Sequence, residues 1–201
     1  MPKRSGRPTK GDENNSKEKI IEATVSLLRK EGAGAVTVRS VCAEAELSVG
    51  TFYHYFRDKD DLFMHFLRET SFDSFELKTP LSDIAGRTVE LYLHLIHRYM
   101  GLGLDFMKSF YSTENHSLSA YMEEKDGSFT AGTVMARSEK EMVAAQKAGY
   151  LKKEADPHAL CADICTIVKG AVFEWCLNDG NTDIENILLR IVRNYLTNFL
   201  A

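Results

Sequence analysis

Apolar residues recur at intervals of three and four along nearly the whole chain, and no stretch shows sustained strand alternation. Ile20, Thr24, Leu27 and Leu28 fall on one stripe of a helix over residues 16–31, which Gly32 and Gly34 end. Thr37 stands as the N-cap of a short helix through Val38, Val41 and Cys42. After a break at 45–47, Ser48 caps a third helix, and Asp58 caps a long fourth with Leu62, Phe63, Phe66 and Leu67. Beyond Pro80 the pattern lengthens. One helix covers about 83–100 and is interrupted at Gly101-Leu102-Gly103. A short one then reaches Tyr111, residues 112–129 read mostly as loop, and another helix spans about 130–148. Asp156-Pro157, a cap followed by proline at the first helical position, opens a helix to Leu177. Thr182 to Glu185 has capping-box spacing and opens the last, to about Leu200. The pattern predicts an all-α chain of about nine helices.

Residues 37–55 place two short helices around a tight turn inside a three-helix unit, which is helix-turn-helix geometry. The second short helix is the one such a unit offers to a DNA major groove, N-terminal residues first. Its chemistry fits. Ser48 and Thr51 carry small hydroxyls, Gly50 lets backbone approach phosphate, and Val49 suits a thymine methyl. Thr37 and Lys59 begin neighbouring helices, whose N-termini attract phosphate. Phe52 and Phe56, four apart, read as core, whereas Tyr53, His54 and Tyr55 can donate hydrogen bonds to phosphate oxygens.

Charge sharpens this picture. The net charge of −4 argues at first against a nucleic-acid partner. Residues 1–60, however, hold 11 Lys/Arg against 9 Asp/Glu, and the remaining residues hold 14 against 20. A basic head is therefore joined to an acidic body. Residues 1–15 are polar and basic and read as a disordered arm, in which Arg7 of Gly-Arg-Pro suits a narrow minor groove; the other reading is a solvated tail adding only nonspecific phosphate attraction. Domain bounds follow: arm 1–15, helix-turn-helix 16–63, helical body 64–201.

The stretch T-V-R-S-V-C-A-E-A-E-L-S-V-G-T-F-Y-H-Y-F-R-D-K-D-D-L-F, residues 37–63, resembles the signature of the TetR family of bacterial transcriptional regulators, and I-I-E-A-T-V-S-L-L-R-K-E-G, residues 20–32, resembles that family's first helix. The likeness covers about residues 16–67. It implies DNA contacts from Thr37, Arg39, Ser48, Val49, Gly50, Thr51, Tyr53, His54, Tyr55 and Lys59. Two positions depart from the pattern: Glu46 stands where glycine is common in the turn, and Cys42 where alanine is usual.

The resemblance also implies a body that senses a small-molecule inducer and dimerises through its last two helices. Their composition supports dimerisation independently. Residues 157–177 are apolar almost all round, and residues 183–200 carry a wide apolar stripe, so two copies can form a four-helix bundle. A two-fold dimer calls for a near-palindromic operator. Tyr92, Tyr99, Phe106, Met107, Phe110 and Trp175 are candidates to line an apolar inducer pocket, though each also reads as core. Glu90, His94 and His97 share a stripe with Arg87 and Arg98, which makes a solvated face the simpler reading than a metal site. His158, Cys161 and Cys165 sit on adjacent turns, where a metal or redox sensor is the lesser reading and buried inert thiols the simpler one. No catalytic motif, cofactor loop or paired C-x-x-C occurs, and no apolar run reaches membrane-spanning length, so the expectation is a cytoplasmic, non-enzymatic homodimer acting as a repressor. An activator, or a DNA-binding protein in a structural role, would use the same head. A non-DNA helical adaptor would leave the basic head unexplained.

Overall fold

A computed structural model describes residues 10–68, 71–112, 115, 118, 124 and 126–201, with only the backbone of 10–14 and 67. Among these residues there are nine α-helices and no extended strand. They are α1 (Lys10–Glu31), α2 (Val38–Glu44), α3 (Val49–Tyr55), α4 (Lys59–Arg68), α5 (Ile84–Met100), α6 (Leu104–Phe110), α7 (Val134–Lys147), α8 (Pro157–Leu177) and α9 (Ile184–Leu196). None is long and apolar enough to cross a membrane.

The head is built on one stripe of α1. Ile20, Ala23, Leu27 and Leu28 are buried and share a core with Val41, Phe52 and Phe56. Each buried phenylalanine contributes about 2–3 kcal/mol of transfer free energy. On the outer side, Ser26 and Lys30 of α1 both donate to the Glu44 carboxylate of α2, at 2.8 and 3.0 Å. The helix starts at Lys10 rather than at Ser16, because nothing between Gly11 and Ser16 stops the first turns from extending. The Arg7 arm lies outside the described residues.

Gly32 ends α1 with φ +82°. A 3-10 turn, Ala33–Ala35, follows and packs against α6 of the body. Asp105 Oδ2 stands 2.9 Å from where a Cβ on Gly32 would sit, so the backbone of the head and an α6 side chain nearly touch.

The fourth helix spans its apolar pattern through Leu67 but is not the long helix expected. α4 covers ten residues, and by Ser71 the described chain has turned away. Its buried Leu62, Phe63 and Met64 face the body as well as the head.

In the body, α5 packs against α7 and α9, and α8 against α6, α7 and α9. Arg87 leaves the solvated stripe expected of it. Its Nε donates to Glu141 Oε2 at 2.7 Å, while Arg137 Nε donates to Glu141 Oε1 at 2.8 Å. One largely buried carboxylate thus holds two guanidiniums and ties α5 to α7. Helix starts are capped by Asp83, Thr133 and Asp156. At α9 the cap is Asp183 rather than Thr182: the Asp183 carboxylate accepts the Asn186 N–H at 3.2 Å. A 3-10 turn, Thr197–Phe199, extends α9, and Leu200 forms an antiparallel bridge with Leu151.

Candidate nucleic-acid interface

Two hydroxyl caps set the helix-turn-helix. The Thr37 hydroxyl accepts the Ser40 N–H at 3.1 Å, and Ser40 Oγ accepts the Thr37 N–H at 2.9 Å. This reciprocal cap starts α2. Ser40 was not legible as its second half, since the usual partner there is Glu or Gln. Ser48 Oγ accepts the Thr51 N–H at 3.0 Å and lies 2.8 Å from Thr51 Oγ1. Both hydroxyls are thus engaged in starting α3.

The turn between α2 and α3 depends on Glu46, which has φ +54°. This conformation lets Leu47 N–H reach back to the Cys42 carbonyl at 2.9 Å. A non-glycine residue there costs about 1 kcal/mol. The departure from glycine noted in the sequence is therefore a strained position, with its side chain exposed.

Helical spacing divides α3 into two faces. Val49, Tyr53, Gly50 and His54 fall on one contiguous arc, and all four are exposed, Tyr53 by 57%. Phe52 lies on the opposite side, fully buried, with the Tyr53 ring edge-on at 5.6 Å. Phe56 closes the same core and meets His65 of α4 edge-on at 5.8 Å. Tyr55 does not join the exposed arc. It falls about 100° beyond His54 around α3, is half-buried, and packs against the core.

The flanking candidates stand at helix starts. Thr37 and Arg39 are exposed at the beginning of α2. Lys59 opens α4, half-buried, with Nζ 5.6 Å from the Phe63 ring centroid. Asp58 Oδ1 accepts the Asp61 N–H at 2.7 Å and caps this helix. Burial would raise the Asp61 carboxyl, but the Arg57 N–H and the Arg68 guanidinium outweigh it and hold it below the usual carboxylate range. The α3–α4 corner is thereby clamped from two sides, which the sequence did not reveal.

The candidate inducer residues take a different arrangement from a pocket lining. Tyr99, Phe106 and Phe110 stack on one another, with centroids 5.3–6.2 Å apart and planes within 24°. Met107 is fully buried beside them in the sequence. Trp175 packs beneath Gly180, where an added Cβ would stand 3.0 Å from the indole. Tyr92 is buried with its hydroxyl unpartnered. Nor do Glu90, His94 and His97 converge. The Glu90 carboxylate accepts the Lys78 and Thr79 N–H groups at 2.8 Å each, the His94 ring lies tilted against Phe75 at 4.3 Å, and His97 pairs with Glu185 at 3.0 Å. They do line one wall of an open groove of about 720 Å³ between α5, α9 and residues 75–83. Among the described residues, no three His, Cys, Asp or Glu side chains gather as a metal ion would need.

A family model described as bacterial regulatory proteins of the tetR family matches residues 20–65. The HTH-type transcriptional regulator HbdR of Aromatoleum sp. is 26% identical over 192 residues, covering 90% of this chain and 81% of its own. The HTH-type transcriptional repressor KstR of Mycobacterium tuberculosis is 36% identical over 72 residues, 36% of this chain and 32% of its own. Among solved structures, RolR in complex with resorcinol superposes with a TM-score of 0.59 at 17% identity, over 90% of its chain and 91% of this one, a likeness of fold. HbdR is named a transcriptional regulator and KstR a transcriptional repressor. Residues 20–65 thus match the head of the tetR family of bacterial regulatory proteins, and the chain as a whole is similar to HbdR in sequence and to RolR in fold.

Proposed function

We propose that this regulator is a ligand-responsive repressor that holds a near-palindromic operator as a homodimer. The observation that carries the DNA reading is the exposed arc Val49, Gly50, Tyr53 and His54 on a rigidly capped α3. These side chains lie on one surface of a helix whose opposite side is locked in the core, which suits insertion into a major groove. Thr37, Arg39 and Lys59, with Ser48 and Thr51 at the α3 start, supply phosphate contacts around it, and Tyr55 acts by packing. Arg39 and Lys59 give the binding its salt dependence.

Exposed Phe173 and Leu177 on α8 favour burial against a second copy, with α9 completing a four-helix bundle. KstR, named a repressor, supports that sense of regulation, and RolR with its resorcinol supports a small molecule in the body. Ligand binding would shift the population toward a spacing of the two α3 helices that misses successive major grooves. The test is electrophoretic mobility shift on the DNA upstream of the gene. Wild type binds a palindromic fragment as a dimer. The double replacement Tyr53→Ala and Lys59→Ala loses the shift with the dimer intact, and unchanged binding overturns these roles.

A further inference from the structure

Asp61 of α4 is an acid shared by two arginines. Its side chain is 11% exposed, and its Oδ2 accepts the Arg57 N–H at 3.1 Å. The other oxygen, Oδ1, faces two guanidiniums at once. Arg68 Nη1, about two turns further along α4, donates to it at 3.0 Å. Arg57 Nη2 approaches the same atom only to 3.7 Å, an ion contact without a hydrogen bond. The two side chains also differ in exposure, Arg57 at 73% and Arg68 at 50%. Arg68 thus holds the acid, and Arg57 stands beside it, largely in solvent.

The two arginines mark opposite ends of α4. Arg57 is the first residue past Phe56, the C-cap of α3, and comes two before Lys59, which opens α4. It therefore lies at the corner between the exposed arc of α3 and Lys59, and a guanidinium fork suits phosphate oxygens. Arg68 ends α4 and lines a recess of about 390 Å³ with Ser71, Asp73 and residues 130–133, which lead into α7. One carboxylate thus connects a cation beside the DNA-facing surface with a cation at the joint to the body.

Burial opposes ionisation of Asp61, but its contacts hold the carboxyl below the usual range, so it competes for the arginines as an anion. A largely buried carboxylate is costly to leave without any cation. While Arg68 stays in place, Arg57 can move to a phosphate and Asp61 remains paired. Once Arg68 is drawn off, Arg57 is the remaining counter-ion, and its departure would strand the acid.

We propose that Arg57 is a DNA-phosphate contact whose availability is set by Arg68: Arg68 occupies Asp61 and frees Arg57 for the duplex, and loss of the Arg68 bond draws Arg57 back to the acid. The proposal rests on the DNA-binding reading and adds to it one contact residue and its control. Movement of the α4 end against the α7 start then weakens DNA binding without any displacement of α3.

The test measures affinity of the full-length protein against salt concentration, on the upstream fragment and on an unrelated duplex. Arg57→Gln removes the charge and keeps the backbone N–H that Asp61 accepts. It should lower the slope of log affinity against log salt by about one for each head, and equally on both duplexes, because a phosphate contact carries no sequence information. Its melting temperature should stay at the wild-type value. Arg68→Gln should lose as much slope, and the double variant Arg57→Gln with Arg68→Gln no more than either alone. Adding Asp61→Asn to Arg68→Gln should restore the slope, since a neutral amide does not capture Arg57, whereas a merely structural role for Arg68 would leave it low. A wild-type slope in Arg57→Gln overturns the proposal by itself. So do a full slope in Arg68→Gln, additive losses in the double variant, or no recovery with Asp61→Asn. Failure of wild type to bind either duplex sinks the DNA reading, and wild-type binding indifferent to Arg57 sinks this proposal alone.

Discussion

The Tyr99 hydroxyl donates a 3.0 Å hydrogen bond to the Phe66 carbonyl, joining α5 to the last turns of α4. Phe106 of α6 sits in the same junction, 5.0 Å from Phe63, 6.4 Å from Phe66 and 6.2 Å from Tyr99. Any displacement of α6 is therefore transmitted to α4, the helix that follows the recognition helix. Tyr99→Phe keeps the ring stack and removes only the hydrogen bond. It should lower stability by about 1 kcal/mol in urea unfolding and speed amide exchange in α4 while leaving α1 unchanged. Unaltered α4 exchange would show that the bond does not hold the junction.

Adjacent rings on α3 should behave in opposite ways. Phe52→Ala opens the head core and should cost about 3–5 kcal/mol. Tyr53→Ala removes an exposed side chain, so stability should change by less than about 0.5 kcal/mol while operator affinity falls about tenfold or more. Lys59→Ala should reduce the slope of log affinity against log salt by about one. Denaturant titration and binding at several salt concentrations separate these effects.

Glu46 is strained by its left-handed backbone and carries an exposed side chain two residues before the Ser48 cap of α3, the helix proposed to face DNA. Glu46→Gly should remove both, stabilising the protein by up to about 1 kcal/mol and tightening operator binding most at low salt. A destabilised Glu46→Gly variant would mean that the side chain holds the turn by a contact of its own.

His158 at the start of α8 is held between Glu139 of α7, 2.9 Å from Nδ1, and Glu124, 3.2 Å from Nε2, with Phe129 stacked at 4.3 Å. The Glu139 hydrogen bond first, and the Glu124 contact second, raise its pKa above the ordinary 6.5. The folded protein thus binds this proton more tightly than the unfolded chain. The resulting stabilisation is complete below about pH 6.5 and fades as pH climbs through the raised value. Melting temperature should fall over that window in wild type and fall less in His158→Gln. Parallel curves would assign the pH dependence to other groups.

Much of this was legible because it depends on local rules. The Thr37, Ser48, Asp58 and Asp156 caps, the Phe52/Phe56 core pair and the glycine break after α5 follow from spacing and side-chain chemistry alone. What remained hidden depends on partners distant in sequence. Arg87 looked solvated until Glu141, on another helix, captured it. Tyr99, Phe106 and Phe110 read equally as pocket lining or as core from their sequence, and only their mutual stacking shows that they fill one another's space. Tyr55 differs from His54 only by its angle around a helix, a distinction that a run of aromatic residues conceals. Ser40 was overlooked because serine is an uncommon second half of a reciprocal cap.

The near-contact of Asp105 with the backbone of Gly32 bears on how heads and bodies can be recombined. A recognition head is commonly imagined as a cassette that could be grafted onto any sensor. Here the joint is keyed: the end of α1 must present a bare backbone where α6 presents a short acid. A chimera carrying a side chain at position 32, or a bulkier residue at 105, would seat its head at a different angle even with every base-reading residue intact. Half-site spacing would then shift without any change in the recognition helix, so operator geometry in such hybrids is written partly in the body.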